Sequence, residues 1–199
     1  MKLFQKLKRM KSKEFWHLLI NPFRRIAGWQ AFGVGVLFVV VMGLVGTWAD
    51  VAFDGALDMH LTDSLTYAQS FLYLGISLAS VVLVMWLAGV MIAKQVRFID
   101  ILGTMTLAKA PFLLLAVIGL FTTAPDLTQI TQNPMAVFNS VSFIVLLVVS
   151  LPVMVWSIAL IYNGFKVSCG VQGSKLTLAF ILGLFTAEIV SKLALYWLL

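Results

Sequence analysis

Five apolar runs, each about twenty residues or longer, take up most of this chain. A helix of about 20 apolar residues spans the ~30 Å hydrocarbon core of a bilayer. It can do so because it satisfies its own backbone N–H and C=O groups where no water is present to do it. The runs fall at 28–48, 67–93, 102–124, 140–162 and 175–198. They predict an all-α, polytopic membrane protein, with a basic segment over 1–26 and a five-helix transmembrane domain over 27–199. Charged residues make up only 11% of the 199, against about 25% in soluble domains. Mean hydropathy is +1.02. The alternating ten-residue pattern of a membrane β-barrel is absent, and no polar stretch is long enough for a separate soluble domain.

The net charge of +6 is unevenly placed. Eight of the 14 basic residues precede Ile26, where they set topology and meet anionic lipid rather than nucleic acid. Leu3, Leu7 and Met10 recur at helical spacing, with Lys6, Arg9 and Lys13 on the other side. That pattern suits a helix lying in the membrane interface; the alternative is a disordered basic tail. Lys6, Lys8, Arg9, Lys13, Arg24 and Arg25 are the candidate headgroup contacts. Asn21-Pro22 breaks the segment, because proline disfavours helical geometry in the residue before it. The basic region is too long for a cleaved signal peptide.

Five crossings place the N-terminus, 94–109 and 166–175 on one side. That side would carry 13 of the 14 Lys and Arg residues. The opposite loops hold Asp50, Asp54, Asp58, Asp63 and Asp126 and no Lys or Arg. The positive-inside rule then predicts a cytoplasmic N-terminus and an outer C-terminus.

Small residues punctuate the crossings. Gly33, Gly35, Gly43 and Gly46 in the first, and Ser70, Gly75, Ser77, Ser80 and Gly89 in the second, would let helices approach closely. Arg97 and Asp100 are spaced for an i, i+3 contact. Pro111 belongs at a helix start or kink. Crossing three is therefore either short, from Pro111 to Thr123, or longer, from about Leu102. The longer version is favoured, because residues 110–124 alone give only ~22 Å of helix. It puts Lys109 inside the membrane, reaching back to the near interface. Pro152 should kink crossing four, with Ser150 helping to satisfy the freed carbonyl.

The costly groups are Glu188 and Lys192, spaced i, i+4 inside crossing five. Intramembrane charges are functional candidates by default. The two could form a structural ion pair holding crossing five in the bundle. Otherwise Glu188 is a proton or ligand site, or Lys192 touches a lipid headgroup. The stretch Asp50 to Ser64 offers Asp50, Asp54 and Asp58 as one stripe if helical, with His60 nearby. A divalent cation would suit such a stripe; an acidic, solvated loop is the alternative. Residues Gly164 to Gly173 suggest a tight hairpin with Cys169, the lone cysteine, at its tip as a free thiol, or less readily an acylation site. One cysteine excludes an intrachain disulfide. The hydrolase and metalloprotease patterns GxSxG and HExxH and the phosphate-binding pattern GxxxxGK[ST] are missing. No enzyme activity, cofactor or metal is expected.

The run LAKAPFLLLAVIGLF, Leu107 to Phe121, resembles the third crossing of the Yip-domain family of Ypt/Rab-interacting membrane proteins. The stretch from Leu151 to Lys192 resembles that family's fourth and fifth crossings. It has Trp156 before a leucine-rich turn, a glycine at the hairpin and a Gly-x-x-x-Lys-like start to the last helix. Asn21-Pro22 suits the bacterial members. The resemblance implies five crossings with a cytoplasmic N-terminus. Eukaryotic members bind prenylated small GTPases and shape early secretory membranes. Their Asp-Leu-Tyr-Gly-Pro motif is absent, so the chain looks like the bacterial branch and is expected in a bacterial inner membrane. The leading expectation is a non-enzymatic protein that organises membrane or partner proteins through its basic segment and helix-packing faces. The other is a small transporter or lipid-handling protein, with Glu188, Lys192, Lys109 and Pro152 along a polar path. Either would have membrane lipids as partners and could form a homo-oligomer.

Overall fold

A computed structural model describes residues 16–122, 135 and 140–198. Lys6, Lys8, Arg9 and Lys13, and most of the polar connector over 125–139, lie outside the described residues. A helical turn at 16–20 stops at Asn21, as proline at the next position requires, and a 3-10 turn follows at Pro22–Arg24. Helix α1 is Gly28–Trp48, α2 Tyr67–Ile92, α3 Phe98–Ala108, α4 Phe112–Gly119, α5 Val141–Cys169 and α6 Ser174–Leu198. Helices α3 and α4 together form the third of five spans long and apolar enough to cross a membrane. This is a multi-pass helical membrane protein.

Crossing three is the centre of the bundle. Of its apolar window 67% is buried, against 28–33% in the other four. It packs against α1, α2 and α5, while α6 packs chiefly on α2. The outer surface is apolar: Leu37, Leu87, Val148 and Phe185 are exposed, as side chains facing lipid should be. Several polar side chains point inward instead, including Ser77, Thr104, Thr106 and Ser157. Thr104 and Thr106 cap carbonyls one turn back in their own helix. Ser157 donates to the Ala108 carbonyl, which the break after α3 leaves without a helical partner.

Local sequence sets the helix ends. Thr66 and Gln69 form a reciprocal capping box at the start of α2. Helix α5 ends where Gly170 turns left-handed, at φ 64°. The helix therefore continues through Gly164 and Lys166 to Cys169, seven residues past the expected end at residue 162. Cys169 is buried beside Gly89 rather than at a loop tip. Crossing three begins at Phe98, earlier than either expected start, and Pro111 caps α4 after a break at Lys109. Arg97 and Asp100 do pair, at 3.8 Å. Helix α5 runs through Pro152 without interruption, and Ser150 donates to the Leu147 carbonyl at 2.7 Å. The carbonyl that proline deprives of its donor is that of Val148, so Ser150 serves a neighbour of the one expected.

Glycines mark the closest helix approaches. A Cβ on Gly35 would sit 2.6 Å from the Leu107 backbone nitrogen, and one on Gly103 would overlap the Gly28 carbonyl. These contacts bring α1 against α3. Gly33 and Gly75 have nothing within 4 Å of that position and make no such approach.

Candidate functional site

The loop between α1 and α2 folds back into the bundle. Strand β1, Val51–Ala52, pairs antiparallel with β2, His60–Leu61, in the register Val51 with Leu61 and Ala52 with His60. Asp50 opens this hairpin in the left-handed region, at φ 50°, which aspartate tolerates better than most residues. Its Oδ1 accepts from the Leu65 N–H at 2.8 Å, and its carbonyl accepts from Thr62 N–H at 2.8 Å. Residues 51–56 are all buried. Phe53 stacks edge-on against Phe112, with ring centroids 6.0 Å apart.

A buried loop has backbone polar groups that no helix or sheet satisfies. Here crossings two, three and five supply the partners. The Lys109 ammonium, at the break between α3 and α4, donates to the Gly55 carbonyl at 2.8 Å, the Ala56 carbonyl at 2.9 Å and Ser77 Oγ at 2.8 Å. All three of its protons are thus used. Ser77, on α2, passes its own proton to the Gly55 carbonyl. Glu188 Oε2, on α6, accepts from the Leu57 N–H at 3.1 Å. One turn on, Lys192 Nζ lies 2.6 Å from Oδ2 of Asp54 and 2.6 Å from Oδ2 of Asp58. His60 Nδ1 stands 3.3 Å from Asp54 Oδ1.

These contacts revise several sequence expectations. Glu188 and Lys192 do not pair with each other. An i, i+4 pair on a helix surface contributes only about 0.2–0.5 kcal/mol. Two aspartates for the lysine, and an otherwise orphaned amide for the glutamate, are stronger claims on the same groups. Lys109 does not reach back to the basic interface; it reaches the hairpin at the other end of the bundle. Lys109 therefore leaves the basic side expected from the sequence and joins Lys192 on the acidic hairpin. Asp50, Asp54 and Asp58 form no helical stripe. Asp50 closes the turn, and the cation between Asp54 and Asp58 is the Lys192 ammonium. Among the described residues no group of three or more His, Cys, Asp or Glu is placed to hold a metal ion.

Burial alone would raise the Asp54 carboxyl, but its contacts with His60 and Lys192 outweigh that and lower it to about 2. His60 moves the other way: contact with Asp54 raises it above its ordinary value despite partial burial.

Lys109, Glu188 and Lys192 thus converge on one hairpin. Arg24 and Arg25 are exposed at the opposite, basic end. Sequence reasoning missed Gly55 and Leu57, took Ser77 for a packing position rather than a hydrogen-bond partner, and missed the aspartates as lysine partners. One signal was present: two lysines inside the crossings accompanied an acidic loop with no Lys or Arg. No known protein family, curated protein or solved structure matches the chain.

Proposed function

We propose that this is a non-enzymatic protein of a bacterial cytoplasmic membrane that organises lipids or partner proteins, with its N-terminus in the cytoplasm. One observation carries the reading: the intramembrane charges are engaged by the protein's own hairpin. A path for solutes through Lys109, Glu188 and Lys192 would require the hairpin to withdraw and leave several buried hydrogen-bonding groups bare, at about 1–3 kcal/mol each. The charges serve to close the outer end of the bundle, and its apolar faces and basic end remain available to lipids and partners. The charge asymmetry supports the orientation. The five crossings suit the Yip-like pattern, and that kinship rests on the sequence features alone.

The test is extraction directly into native lipid nanodiscs, followed by mass spectrometry of what accompanies the protein. A stoichiometric membrane-protein or lipid partner, retained in Glu188→Gln, supports the organising role. A small solute retained by the wild type and lost in Glu188→Gln would overturn it in favour of transport.

A further inference from the structure

We infer that the basic end of the bundle holds a specific site for one anionic glycerophospholipid, its phosphate at Arg24 and Arg25 and an acyl chain in an adjoining groove. The inference goes beyond the organising role and rests on the reading of the chain as membrane-spanning.

The groove has a volume of about 510 Å³ and lies between the N-terminal segment, α1, crossing three and α5. Sites for small organic ligands commonly run ~300–1,000 Å³. The described residues lining it are apolar, among them Leu18, Phe38, Leu114 and Trp156. The Trp156 indole N–H is taken up by the Leu19 carbonyl at 2.8 Å. Asn163 donates to the Ile20 carbonyl at 3.1 Å. These two bonds fix the N-terminal segment as one wall of the groove. From Gly28 to Phe38 is ten residues, or ~15 Å of helix, which is half of a ~30 Å core. The groove therefore reaches about as deep as one leaflet's acyl chain.

A second cavity of about 300 Å³ adjoins it and shares Leu18 as a wall. Its other described lining residues are His17, Asn21, Arg24 and Arg25. Asn21 Oδ1 is buried and accepts no hydrogen bond; a headgroup hydroxyl would supply the missing donor. A polar, basic cavity beside an apolar groove, with Leu18 lining both, matches a lipid that carries a negative headgroup on an apolar chain. A bare phosphate would leave the groove unused, and a neutral lipid would bring no anion to the exposed Arg24.

The test uses the full-length protein in neutral detergent, offered phosphatidylglycerol or phosphatidylcholine of the same acyl chains and read by native mass spectrometry. One phosphatidylglycerol should be retained, with roughly tenfold preference over phosphatidylcholine. Arg24→Gln with Arg25→Gln should abolish the preference. Val34→Trp, at the exposed edge of the groove, should lower retention of both lipids. Each variant is checked by helical circular dichroism and melting temperature; if Val34→Trp misfolds, Leu114→Trp replaces it. Equal retention of the two lipids by the wild type would overturn the site, as would an unchanged preference in the arginine variants. Displacement of the lipid by millimolar inorganic phosphate would overturn the acyl-chain half. Alkaline carbonate extraction of membranes separately checks that the chain is integral, so failure of that premise is distinguishable from failure of the site.

Discussion

Lys192 reaches Asp54 across 138 positions of sequence, Nζ to Oδ2 2.6 Å, while the glutamate one turn before it bonds elsewhere. The tie joins the last crossing to the loop between the first two, two segments with no covalent reason to meet. Glu188 and Lys192 are therefore not bonded to each other, but both grip the hairpin over 54–58. Glu188→Gln keeps an acceptor for Leu57 and should change stability little. Lys192→Met, at a partly exposed site, should cost about 1 kcal/mol. Because both side chains hold the same hairpin, the double variant should depart from the sum of the singles by about 0.5 kcal/mol or more. Unfolding in detergent measures all three. If Lys192→Met instead rescued a destabilised Glu188→Gln, the two would be a direct pair and the assignment here would be wrong.

Lys109 is the more consequential lysine. It is buried and binds two carbonyls and a hydroxyl. Lys109→Met should cost about 3 kcal/mol or more, since two buried carbonyls lose a charged donor. Ser77→Ala should cost about 1–3 kcal/mol for the same reason on a smaller scale. Protease access to the hairpin is the local readout, and both variants should raise it.

The hairpin should be pH-sensitive on two limbs. Asp54 falls from 3.8 to about 2 on folding, so its contribution is present above 3.8 and lost as pH drops through about 2. His60 is raised above 6.5, so its contribution is complete below 6.5 and lost as pH rises through the folded value. Hairpin stability should therefore peak between about 4 and 6.5. His60→Gln should flatten the upper limb and shrink the lower one, because His60 is one of the two contacts that lower Asp54. Melting temperature against pH, for the two proteins side by side, measures it.

Glycine substitutions in α1 should separate by position rather than by residue type. Gly35→Val drives a side chain into the backbone of α3 at Leu107 and should cost about 1–3 kcal/mol. Gly33→Val enters open space and should leave thermal stability and monodispersity near wild type.

Orientation is best tested away from the native thiol, because Cys169 is buried. Gln172 is exposed in the loop between α5 and α6. Gln172→Cys in a Cys169→Ser background should react with a membrane-impermeant maleimide in inverted vesicles and not in intact cells. Labelling in intact cells would reverse the topology.

The sequence alone determined the solvent and the count of crossings, because hydropathy is a local property that each segment carries by itself. It also determined the breaks at Asn21-Pro22 and Pro111, which follow from the backbone chemistry of proline, and the Arg97–Asp100 contact, which follows from helical spacing. Its error at Gly164 and Lys166 was local too: both residues fit a helix, and Gly170 is the true stop. The partners of the charged groups were not legible. Glu188 and Lys192 are ideally spaced for each other, and only the folded bundle shows that Leu57, Asp54 and Asp58 take precedence. Whether residues 50–66 stay in solvent or enter the bundle depends on what awaits them there. Lys109, Ser77 and Glu188 come from three different crossings, and packing alone brings them to one end. The tertiary structure decided the site for that reason: in a low-dielectric interior each buried charge takes the strongest partner within reach, and reach is set by the fold rather than by spacing along the chain.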